Sequence, residues 1–265
     1  MKGARLGQHF LKHSWAARSL AHAAAVRPGE TILEIGPGKG VLTRELLALG
    51  PVVAVEKDEE LVALLQEAFA DEISSGKLHI VSDDVRNISP ESLGLKAYVL
   101  AANIPYYITG EIIRQFLTAS IQPRAMALLI QKEVAQRIVS QRGSILSISV
   151  KAYGTPHIVE KVSRIHFSPP PSVDSAILSI DAISKDFFED IREEQFFTIV
   201  KAGFASKRKF VSNNLSVVFD KNEVARALEC SHAGEKARAE DLTLEQWKTI
   251  SQTLSAGSDH RHIAS

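Results

Sequence analysis

The segment Asn103-Ile104-Pro105-Tyr106 places an amide, a proline and an aromatic ring directly after the apolar run "YVLAA". An exocyclic amine on a nucleobase is a poor nucleophile because its lone pair is delocalised into the ring. The side-chain oxygen of Asn103 and a backbone carbonyl near Ile104 or Pro105 can accept the hydrogens of such an amine. These acceptors also stabilise the positive charge that develops on the nitrogen during attack.

Tyr106 adds a face on which a base can stack, and a base buried in nucleic acid would first have to be flipped out. The same segment also fits an ordinary asparagine–proline turn between a strand and a helix. The four residues alone leave both interpretations open. We assign no role to the neighbouring Tyr107 and expect it to pack against other side chains.

Three glycines, Gly36, Gly38 and Gly40, follow the apolar run "TILEI". Glycine permits tight turns with positive φ and lets a ligand approach the backbone closely, and the first N–H groups of a following helix are free. The spacing is G-x-G-x-G, which differs from the G-x-G-x-x-G of dinucleotide-binding folds. A plain turn remains the alternative interpretation.

Acidic residues end the next two apolar runs. Glu56 closes "VVAVE" and can accept hydrogen bonds from ribose hydroxyls, although an acid near a helix N-terminus is also favoured by the helix dipole. Asp83 and Asp84 close "KLHIVS" and can either accept from an adenine amino group or cap a turn. The glycine turn and Glu56 together favour an adenosine-containing ligand.

A basic cluster lies in the C-terminal third of the chain, within "KAGFASKRKFVSNNLS". Such a cluster can neutralise phosphates of a nucleic acid. A solvated helix face is the alternative interpretation. Its cations and amides are Lys201, Lys207, Arg208, Lys209, Asn213 and Asn214.

The elements that must position these residues alternate between short apolar runs and helical patterns. Such alternation predicts a parallel sheet covered by helices on both faces. Ligands of these sheets bind beyond the carboxyl ends of the strands, and the glycines and acids follow strands in this way. The predicted strands are Thr31–Ile35, Val52–Glu56, 77–82, 97–102 and 125–130, and helices follow the first, second, fourth and fifth of them.

The pattern changes beyond Pro156. "HIVEKV" and "SAILSI" predict two more strands, joined by "FSPPPSVD". After about Asp181 only helical patterns follow, in "EEQFFTIVKAGFA", "KRKFVSNNL", "NEVARALE" and "LEQWKTISQTL". We predict a sheet domain over residues 1–181 and a small helical domain over residues 182–265.

The bulk composition narrows the classes of function. The chain has 265 residues, 45% hydrophobic and 23% charged, which is typical of a soluble globular protein. Lys plus Arg (31) equals Asp plus Glu (31), so the formal net charge is zero. The overall charge therefore gives no support for a nucleic-acid partner, and only a local patch could attract one.

Cys230 is the only cysteine, which excludes an internal disulfide and a multi-cysteine zinc site. The N-terminal segment lacks the long apolar core of a secretory signal. No apolar run reaches the length of about 18 residues that suggests a membrane span. We expect a cytoplasmic protein with no membrane partner.

Six segments occur in order along nearly the whole chain: "GQHFL", "EIGPGKG", "NIPYYIT", "LLIQKEVAQRI", "FSPPPSVDSA" and "KARAEDLT". Together they resemble the ribosomal RNA adenine N6,N6-dimethyltransferases, specifically their small-subunit (KsgA-type) group. The resemblance implies an α/β fold, a doubly wound, mostly parallel, seven-stranded methyltransferase (Rossmann-like) sheet with a small C-terminal all-helical domain. It implies S-adenosyl-L-methionine as cofactor and, as substrate, two adjacent adenosines in a hairpin near the 3′ end of the small-subunit rRNA.

The resemblance also implies roles for the residues that follow the strands. Gly36 and Gly38 would line the methionine part of the cofactor, Glu56 would hold its ribose and Asp84 its adenine amine, and Leu11 would border it. The methyl group of a sulfonium is already activated, so we expect no metal and no covalent intermediate. The main task of such an enzyme is to align the amine, the methyl carbon and the sulfur.

The same resemblance implies which residues contact the target base and which bind the RNA. Asn103, Pro105 and Tyr106 match the family's target-base motif, with Asn103 also bordering the cofactor, and Phe167 matches an aromatic residue that closes the other side of the base. The segment around Phe167 is also compatible with a stiff proline-rich connector. The basic cluster matches a C-terminal segment that binds RNA, and we expect a monomer that acts on the immature small subunit. The predicted RNA-binding residues are Lys207, Arg208 and Lys209.

His9 departs from the family pattern, which has asparagine at this position of the G-Q-N-F-L motif. An imidazole can donate or accept hydrogen bonds, so His9 can still contact the cofactor region, in a way that depends on its tautomer. A surface histidine is the alternative interpretation.

Three other functions share part of this pattern. An NAD-linked oxidoreductase would share the glycine turn and the acid, but the glycine spacing, "NIPY" and "FSPPP" argue against it. A large-subunit adenine methyltransferase of the antibiotic-resistance type shares the core motifs, whereas the C-terminal "KARAEDLT" favours the small-subunit group. A non-catalytic ribosome-assembly factor on the same scaffold is the third, and the intact "NIPY" motif argues that catalysis is retained.

Overall fold

The computed structural model describes residues 9–259, and their side chains through residue 256. The strands are β1 Phe10–Leu11, β2 Thr31–Ile35, β3 Val52–Glu56, β4 Leu78–Ser82, β5 Tyr98–Asn103, β6 Met126–Gln131, β7 Thr155–Val162, β8 Phe167–Ser168 and β9 Ser175–Asp181. The helices are α1 Ser14–Ala23, α2 Val41–Leu47, α3 Glu59–Ala68, α4 Ala70–Ser74, α5 Thr109–Leu117, α6 Lys132–Val139, α7 Ile145–Tyr153, α8 Glu193–Gly203, α9 Val211–Leu215, α10 Lys221–Cys230 and α11 Leu244–Asp259.

One seven-stranded sheet has the order β4-β3-β2-β5-β6-β9-β7. Strands β2 to β6 pair in parallel, whereas β9 is antiparallel to both β6 and β7. The predicted doubly wound, mostly parallel sheet is therefore confirmed. The strand β2 is its switch point, because the chain places β3 and β4 on one side of β2 and β5 and β6 on the other.

The register brings the carboxyl ends of the central strands together. Ile35 of β2 pairs with Val55 of β3 and with Ala102 of β5, and Glu56 pairs with Ser82 of β4. The residues that directly follow these four strands therefore meet at one edge of the sheet. A crevice at a switch point of this kind is where α/β sheets bind their ligands.

Helix α1 packs on the sheet and on α2, although the sequence prediction did not include it. It packs against the sheet through small residues such as Ala16 and Ala17, which are fully buried together with Leu20. Small side chains let the helix backbone approach the strands closely. The amphipathic pattern of "SWAARSLAHA" is comparable to that of α3, so the sequence carried a signal for this helix that the prediction did not use.

Two short strands form a ribbon outside the main sheet. β1 and β8 pair antiparallel, with Leu11 opposite Phe167, and the N–H of Lys12 donates to the carbonyl of His166 at 2.9 Å. This β1–β8 ribbon joins the segments "HFL" and "FSPPPSVD", which are far apart in sequence. Two-residue strands carry no periodicity, so their pairing is not visible in the sequence.

Within the described residues the chain forms two compact units. The first runs through Gln136 and includes Gly154–Ile183, and the second contains Arg137–Tyr153 and continues from Ser184. The unit boundary near Ile183 lies close to the predicted division at residue 181. The segment Arg137–Tyr153, which the prediction placed in the sheet domain, groups with the helical unit because α7 contributes Ile148 and Ala152 to the helical core.

The helical unit is built around the fully buried Trp247 of α11. Gly203 at the end of α8 lies so close to this indole that any added Cβ would clash with it. The helix predicted over "KRKFVSNNL" was wrong in part. Residues 207–210 form a non-helical turn, and only Val211–Leu215 is helical. Among residues 9–259, no helix combines the length and apolarity that crossing a membrane requires.

Candidate functional site

A cleft that is open to solvent lies at the switch point of the sheet. Its empty space is about 800 Å3, a figure that includes open solvent. Its walls are residues at and directly after the carboxyl ends of the central strands β2 to β5, together with His9 and with Phe10 of β1. Most of the predicted site residues meet there: His9, Gly36, Gly38, Glu56, Asp84, Asn103, Pro105 and Tyr106. Residues Gly7 and Gln8 of the first motif lie outside the described residues.

The turn after β2 requires glycine for two different reasons. Gly36 has φ +65° and no heavy atom within 4 Å of the position where a Cβ would lie, so the space beside it is open. Gly38 has φ +59°, and a Cβ on it would lie 2.8 Å from the ring of Phe10. Gly36 therefore leaves room for a ligand, and Gly38 permits Phe10 to pack against the turn.

Glu56 connects this turn to the start of α3. Its side chain is buried, with an exposed fraction of 4%. One carboxylate oxygen accepts from the N–H of Gly38 at 3.1 Å, and the other accepts from the N–H groups of Lys57 and Asp58 at 3.0 and 3.1 Å. A carboxylate offers about four acceptor positions, so Glu56 can accept about one further hydrogen bond from a ligand.

Asp84 is held by two cations at the cleft wall. The guanidinium of Arg86 donates to its two oxygens at 3.0 and 2.6 Å, and the Lys57 ammonium lies 4.0 Å away. These contacts, led by the Arg86 hydrogen bonds, lower the pKa of Asp84 to about 2. Asp84 therefore stays an ionised acceptor. It also caps the turn that follows, by accepting from the N–H of Arg86 at 3.1 Å, so capping and a place in the cleft coexist.

Asp83 serves the local turn. One of its carboxylate oxygens accepts from the N–H of Asp84 at 2.6 Å and from the side chain of Asn87 at 3.1 Å. These bonds fix the backbone that carries Asp84. Asp83 thus has the capping role that the sequence left open for both acids.

The amide of Asn103 is oriented by the backbone of His9. Its Nδ2 donates to the His9 carbonyl at 2.9 Å, and no described residue is recorded as a partner of its side-chain oxygen. The His9 ring is fixed in turn, because its Nδ1 lies 2.8 Å from the Pro169 carbonyl. A carbonyl only accepts, so Nδ1 of His9 carries the proton in this contact.

Tyr106 is half-buried beside Asn103. Its hydroxyl lies 2.7 Å from the hydroxyl of Ser175, and burial raises the pKa of Tyr106. The His9 ring lies 5.8 Å from the Tyr106 ring, tilted by 35°. Near it, the carbonyl of Pro105 accepts from the N–H of Ile108 at 3.1 Å. The Ile104 carbonyl is therefore the backbone acceptor of this segment that the turn does not use.

The side chains of Phe167, Leu11 and Tyr107 differ from the other predicted residues in where they lie. Phe167 is buried, with 1% of its surface exposed, and the structure does not bring it to the cleft wall, because β8 turns its side chain into the hydrophobic core. Leu11 is also buried, and it borders a smaller cavity shared with Gly36 and Asn103. The expectation that Tyr107 packs was wrong, since 61% of its surface is exposed at the cleft.

Glu34 is a buried acid in the strand that leads to the cleft, and the sequence reasoning did not single it out. It lies in β2, fully buried, and neither carboxyl oxygen has a hydrogen-bond partner by distance and angle among the described residues. Burial raises the pKa of Glu34 to about 8, with the charge of Glu56 adding to the effect and the hydroxyl of Thr43 opposing it. An acid inside the apolar run "TILEI" was the available signal.

Lys57 and Arg86 were missed as well. Both line the cleft and hold Asp84. The signal was their position within four residues of a strand end. No pairing rule in the sequence connects Arg86 to Asp84, however, because the contact depends on the turn between them.

The basic cluster of the helical unit lies on the turn between α8 and α9. Lys207, Arg208 and Lys209 are exposed, and no ion pair joins them to a described residue. Asn214 beside them is buried and structural: its Nδ2 donates to the carbonyls of Gly203 and Ser206 at 2.6 and 3.0 Å. Asn214 therefore holds the turn and does not extend the exposed cluster.

The family comparison covers nearly the whole chain. A family model described as ribosomal RNA adenine dimethylase matches residues 2–256. The "Ribosomal RNA small subunit methyltransferase A" of Dehalococcoides mccartyi is 39% identical over 252 residues, covering 92% of this chain and 86% of that protein. The protein of the same name from Moorella thermoacetica is 36% identical over 264 residues, covering 94% and 91%.

Solved structures show the same architecture. The 23S rRNA methyltransferase ErmE superposes with a TM-score of 0.76 and 27% identity, covering 93% of this chain and 99% of that chain. A dimethyladenosine transferase from Plasmodium falciparum superposes with a TM-score of 0.75 and 22% identity, covering 91% and 96%. The second likeness is evidence for the fold alone.

Proposed function

Because the chain belongs to the ribosomal RNA adenine dimethylase family, we propose that it dimethylates the N6 amines of two adjacent adenosines in a hairpin near the 3′ end of small-subunit rRNA. The methyl donor is S-adenosyl-L-methionine. The observation that carries the proposal is the fixed amide of Asn103, which has its nitrogen engaged by His9 and its oxygen unused at the cleft.

The residues of the cleft fit the cofactor. When bound, S-adenosylmethionine supplies a methyl group on a positively charged sulfur. Gly36 leaves open space beside the backbone, Glu56 has about one acceptor position left for a ribose hydroxyl, and Asp84 is an ionised acceptor for an adenine amine. Leu11 lines the smaller cavity that Gly36 also lines.

The chain's own contribution to the chemistry is to hold and polarise the target amine. The Asn103 oxygen and the Ile104 carbonyl accept its two N–H hydrogens, which returns electron density to the nitrogen and stabilises its developing positive charge. After the first methylation only one N–H remains. One of the two acceptors must then tolerate a methyl group, and the exposed mouth of the cleft offers that space.

Tyr106 provides the stacking face for the adenine. Its ring is fixed at both ends, by the backbone after β5 and by the Ser175 hydroxyl, so little conformational entropy is lost when a base stacks on it. Phe167 would have to leave the core to close the other side of the base. Tyr107 is the exposed aromatic ring already at the cleft.

The exposed cations on the turn before α9 support a contact with RNA phosphates: Lys207, Arg208 and Lys209. We include in the proposal that the chain acts as a monomer and that its substrate is the immature small subunit, as the sequence resemblance implies.

The choice between small-subunit and large-subunit rRNA as substrate distinguishes the proposed function from that of a large-subunit methyltransferase. The solved structure of ErmE carries a 23S name at 27% identity, whereas the curated relatives at 36% and 39% identity carry small-subunit names. Incubating the protein with isotopically labelled cofactor and purified small or large subunits tests this. We expect label in small-subunit rRNA; label confined to large-subunit rRNA would establish the rival, and binding without any label would establish a non-catalytic factor.

A further inference from the structure

A second surface of the sheet unit carries cations and apolar side chains side by side. Lys12, Arg164, Ile165 and Pro170 line a shallow depression next to the β1–β8 ribbon. The ring of Trp15 lies 5.1 Å from the ring of His166, which follows Ile165 in the chain. We call this the Trp15 surface, and it consists of Lys12, His13, Trp15, Arg164, Ile165 and His166.

The apolar members of the Trp15 surface are unusually exposed for their size. Trp15 is 41% exposed and Ile165 is 65% exposed. The His166 ring meets Trp15 at an interplanar angle of 88° and meets His13 at 78°, so the indole is already held in place. Exposed apolar side chains rimmed by polar groups mark surfaces that bind a partner.

The charged side chains of the Trp15 surface are cations that form no ion pair within the part of the chain that the structure describes. Neither Lys12 nor Arg164 forms an ion pair with any residue in the described range. The Asp174 carboxylate accepts from the backbone N–H of Arg164 at 3.0 Å, and the guanidinium of Arg164 donates to the Ser172 carbonyl at 3.3 Å. The first turn of α1 has no acidic residue and no side-chain cap, so the helix dipole adds to this positive potential.

Hydrogen bonds of the β1–β8 ribbon connect the Trp15 surface to the cleft. The His166 carbonyl accepts from the N–H of Lys12 at 2.9 Å, and three residues further along, the Pro169 carbonyl is bonded to Nδ1 of His9. The His9 carbonyl holds Asn103. The ribbon therefore ties the position of the Trp15 surface to that of the cleft residue Asn103.

We propose that the Trp15 surface binds the single-stranded RNA that flanks the target adenosine. Trp15 stacks on a base, Ile165 packs against the same strand, and Lys12 and Arg164 neutralise phosphates. Stacking on an aromatic ring together with a cationic groove is the general way in which proteins hold single strands. The inference rests on the proposed function, because it takes the substrate to be RNA.

The two tryptophans of the chain make the stacking step observable. Trp15 is exposed and Trp247 is fully buried in the other unit. We expect an RNA hairpin with two adjacent adenosines in its loop to quench the tryptophan emission of the wild type. Trp15→Phe should abolish the quenching while keeping most of the affinity, and Trp15→Ala should weaken binding about ten-fold.

Two other lysines of the sheet unit provide a matched control for Lys12 and Arg164. Lys77 and Lys96 are exposed and precede β4 and β5, at the edge of the sheet opposite the cleft. Replacing Lys12 and Arg164 by alanine should lower the dependence of log Kobs on log salt by about 1.4, the value for two contacts to a single strand. Replacing Lys77 and Lys96 should leave that slope unchanged.

Failure of this inference can be told apart from failure of the proposed function. If the wild type methylates small-subunit rRNA but the hairpin quenches no emission and both double variants have the same salt slope, the inference is overturned and the function stands. Quenching by anionic lipid vesicles but not by the hairpin would also overturn it. If no rRNA is methylated, the function falls regardless of the quenching result.

Discussion

The orientation of one amide decides the chemistry proposed for the cleft. Asn103 follows an apolar strand, and the sequence predicted its place at the carboxyl edge of a sheet. The sequence could not predict which of its two polar atoms is free. The contact that fixes the amide comes from the His9 carbonyl, 94 residues away along the chain, and it uses backbone atoms, so no residue type marks it.

The departure at position 9 is compatible with this arrangement. The backbone carbonyl of His9 holds Asn103 whatever the side chain is, and the His9 ring makes its own contact with the Pro169 carbonyl. The family asparagine could donate to the same carbonyl through its amide. The histidine therefore gives no structural reason to doubt catalysis.

Asn103→Ala should lower turnover by about two to three orders of magnitude, because it removes one acceptor for the developing positive charge. Folding and cofactor affinity should change little, since the side chain is only half-buried and donates a single hydrogen bond. Steady-state methylation, calorimetric titration with cofactor and thermal unfolding would measure the three quantities. Turnover close to that of the wild type would rule out this role for Asn103.

Glu34 makes the stability of the sheet unit depend on pH. Burial raises its pKa from 4.5 to about 8, so between these values the folded protein keeps a proton that the unfolded chain has lost. The free energy of unfolding should therefore fall as pH rises through this window, by about 1.4 kcal/mol per pH unit from this group. Below the window both states are protonated, and above it both are ionised.

Glu34→Gln should remove this fall, because glutamine does not titrate. Denaturant unfolding at about pH 5.5 and pH 7.5 would show a smaller difference in the variant than in the wild type, by roughly 2 kcal/mol. Glu229→Gln, at an exposed position of α10, is the control and should keep the wild-type difference. An equal pH dependence in Glu34→Gln would mean that Glu34 is ionised in the folded protein.

At the scale of elements, the sequence predicted the strands and most of the helices that hydrophobic periodicity marks. The continuous apolar runs became the seven strands of the main sheet, and their alternation with helices indicated the parallel arrangement. Two of the missed or mistaken elements depend on tertiary contacts. The β1–β8 ribbon requires pairing between distant two-residue strands, and the turn at residues 207–210 is held by the side chain of Asn214. Helix α1 was missed although its periodicity is comparable to that of α3.

Asn214→Ala should destabilise the helical unit and loosen the turn before α9. The change removes two hydrogen bonds and leaves the Gly203 and Ser206 carbonyls without that partner, at a cost of about 2 kcal/mol. Denaturant unfolding and hydrogen exchange of residues 204–210 would report both effects. Asn213→Ala, at the exposed neighbour, should change stability by less than about 0.5 kcal/mol.

At the scale of the whole molecule, a formal net charge of zero conceals local positive surfaces. The cations before α9 and those of the Trp15 surface are exposed and lack ion pairs among the described residues, whereas acids such as Asp84 and Glu56 are engaged inside the cleft. Association with a polyanion depends on this distribution and not on the sum. Composition alone therefore could not identify an RNA partner.

Replacing Lys207, Arg208 and Lys209 together by alanine should weaken RNA binding and lower its salt slope by about 2, if each side chain contacts one phosphate of a single strand. Folding should be unaffected because all three side chains are exposed. Replacing the exposed Lys221, Arg226 and Lys236 of the same unit removes an equal charge and should have a smaller effect on the slope. Equal slopes for the two triple variants would count against a specific role of the basic cluster.

Mass spectrometry of small-subunit rRNA, after incubation of subunits with this protein and S-adenosylmethionine, tests the central claim most directly. We predict two methyl groups on each of two adjacent adenosines near the 3′ end, and only a small fraction of that methylation when Asn103→Ala replaces the wild type over the same time. Methylation at any other base or position, or no mass gain with the wild type, would contradict the proposed function.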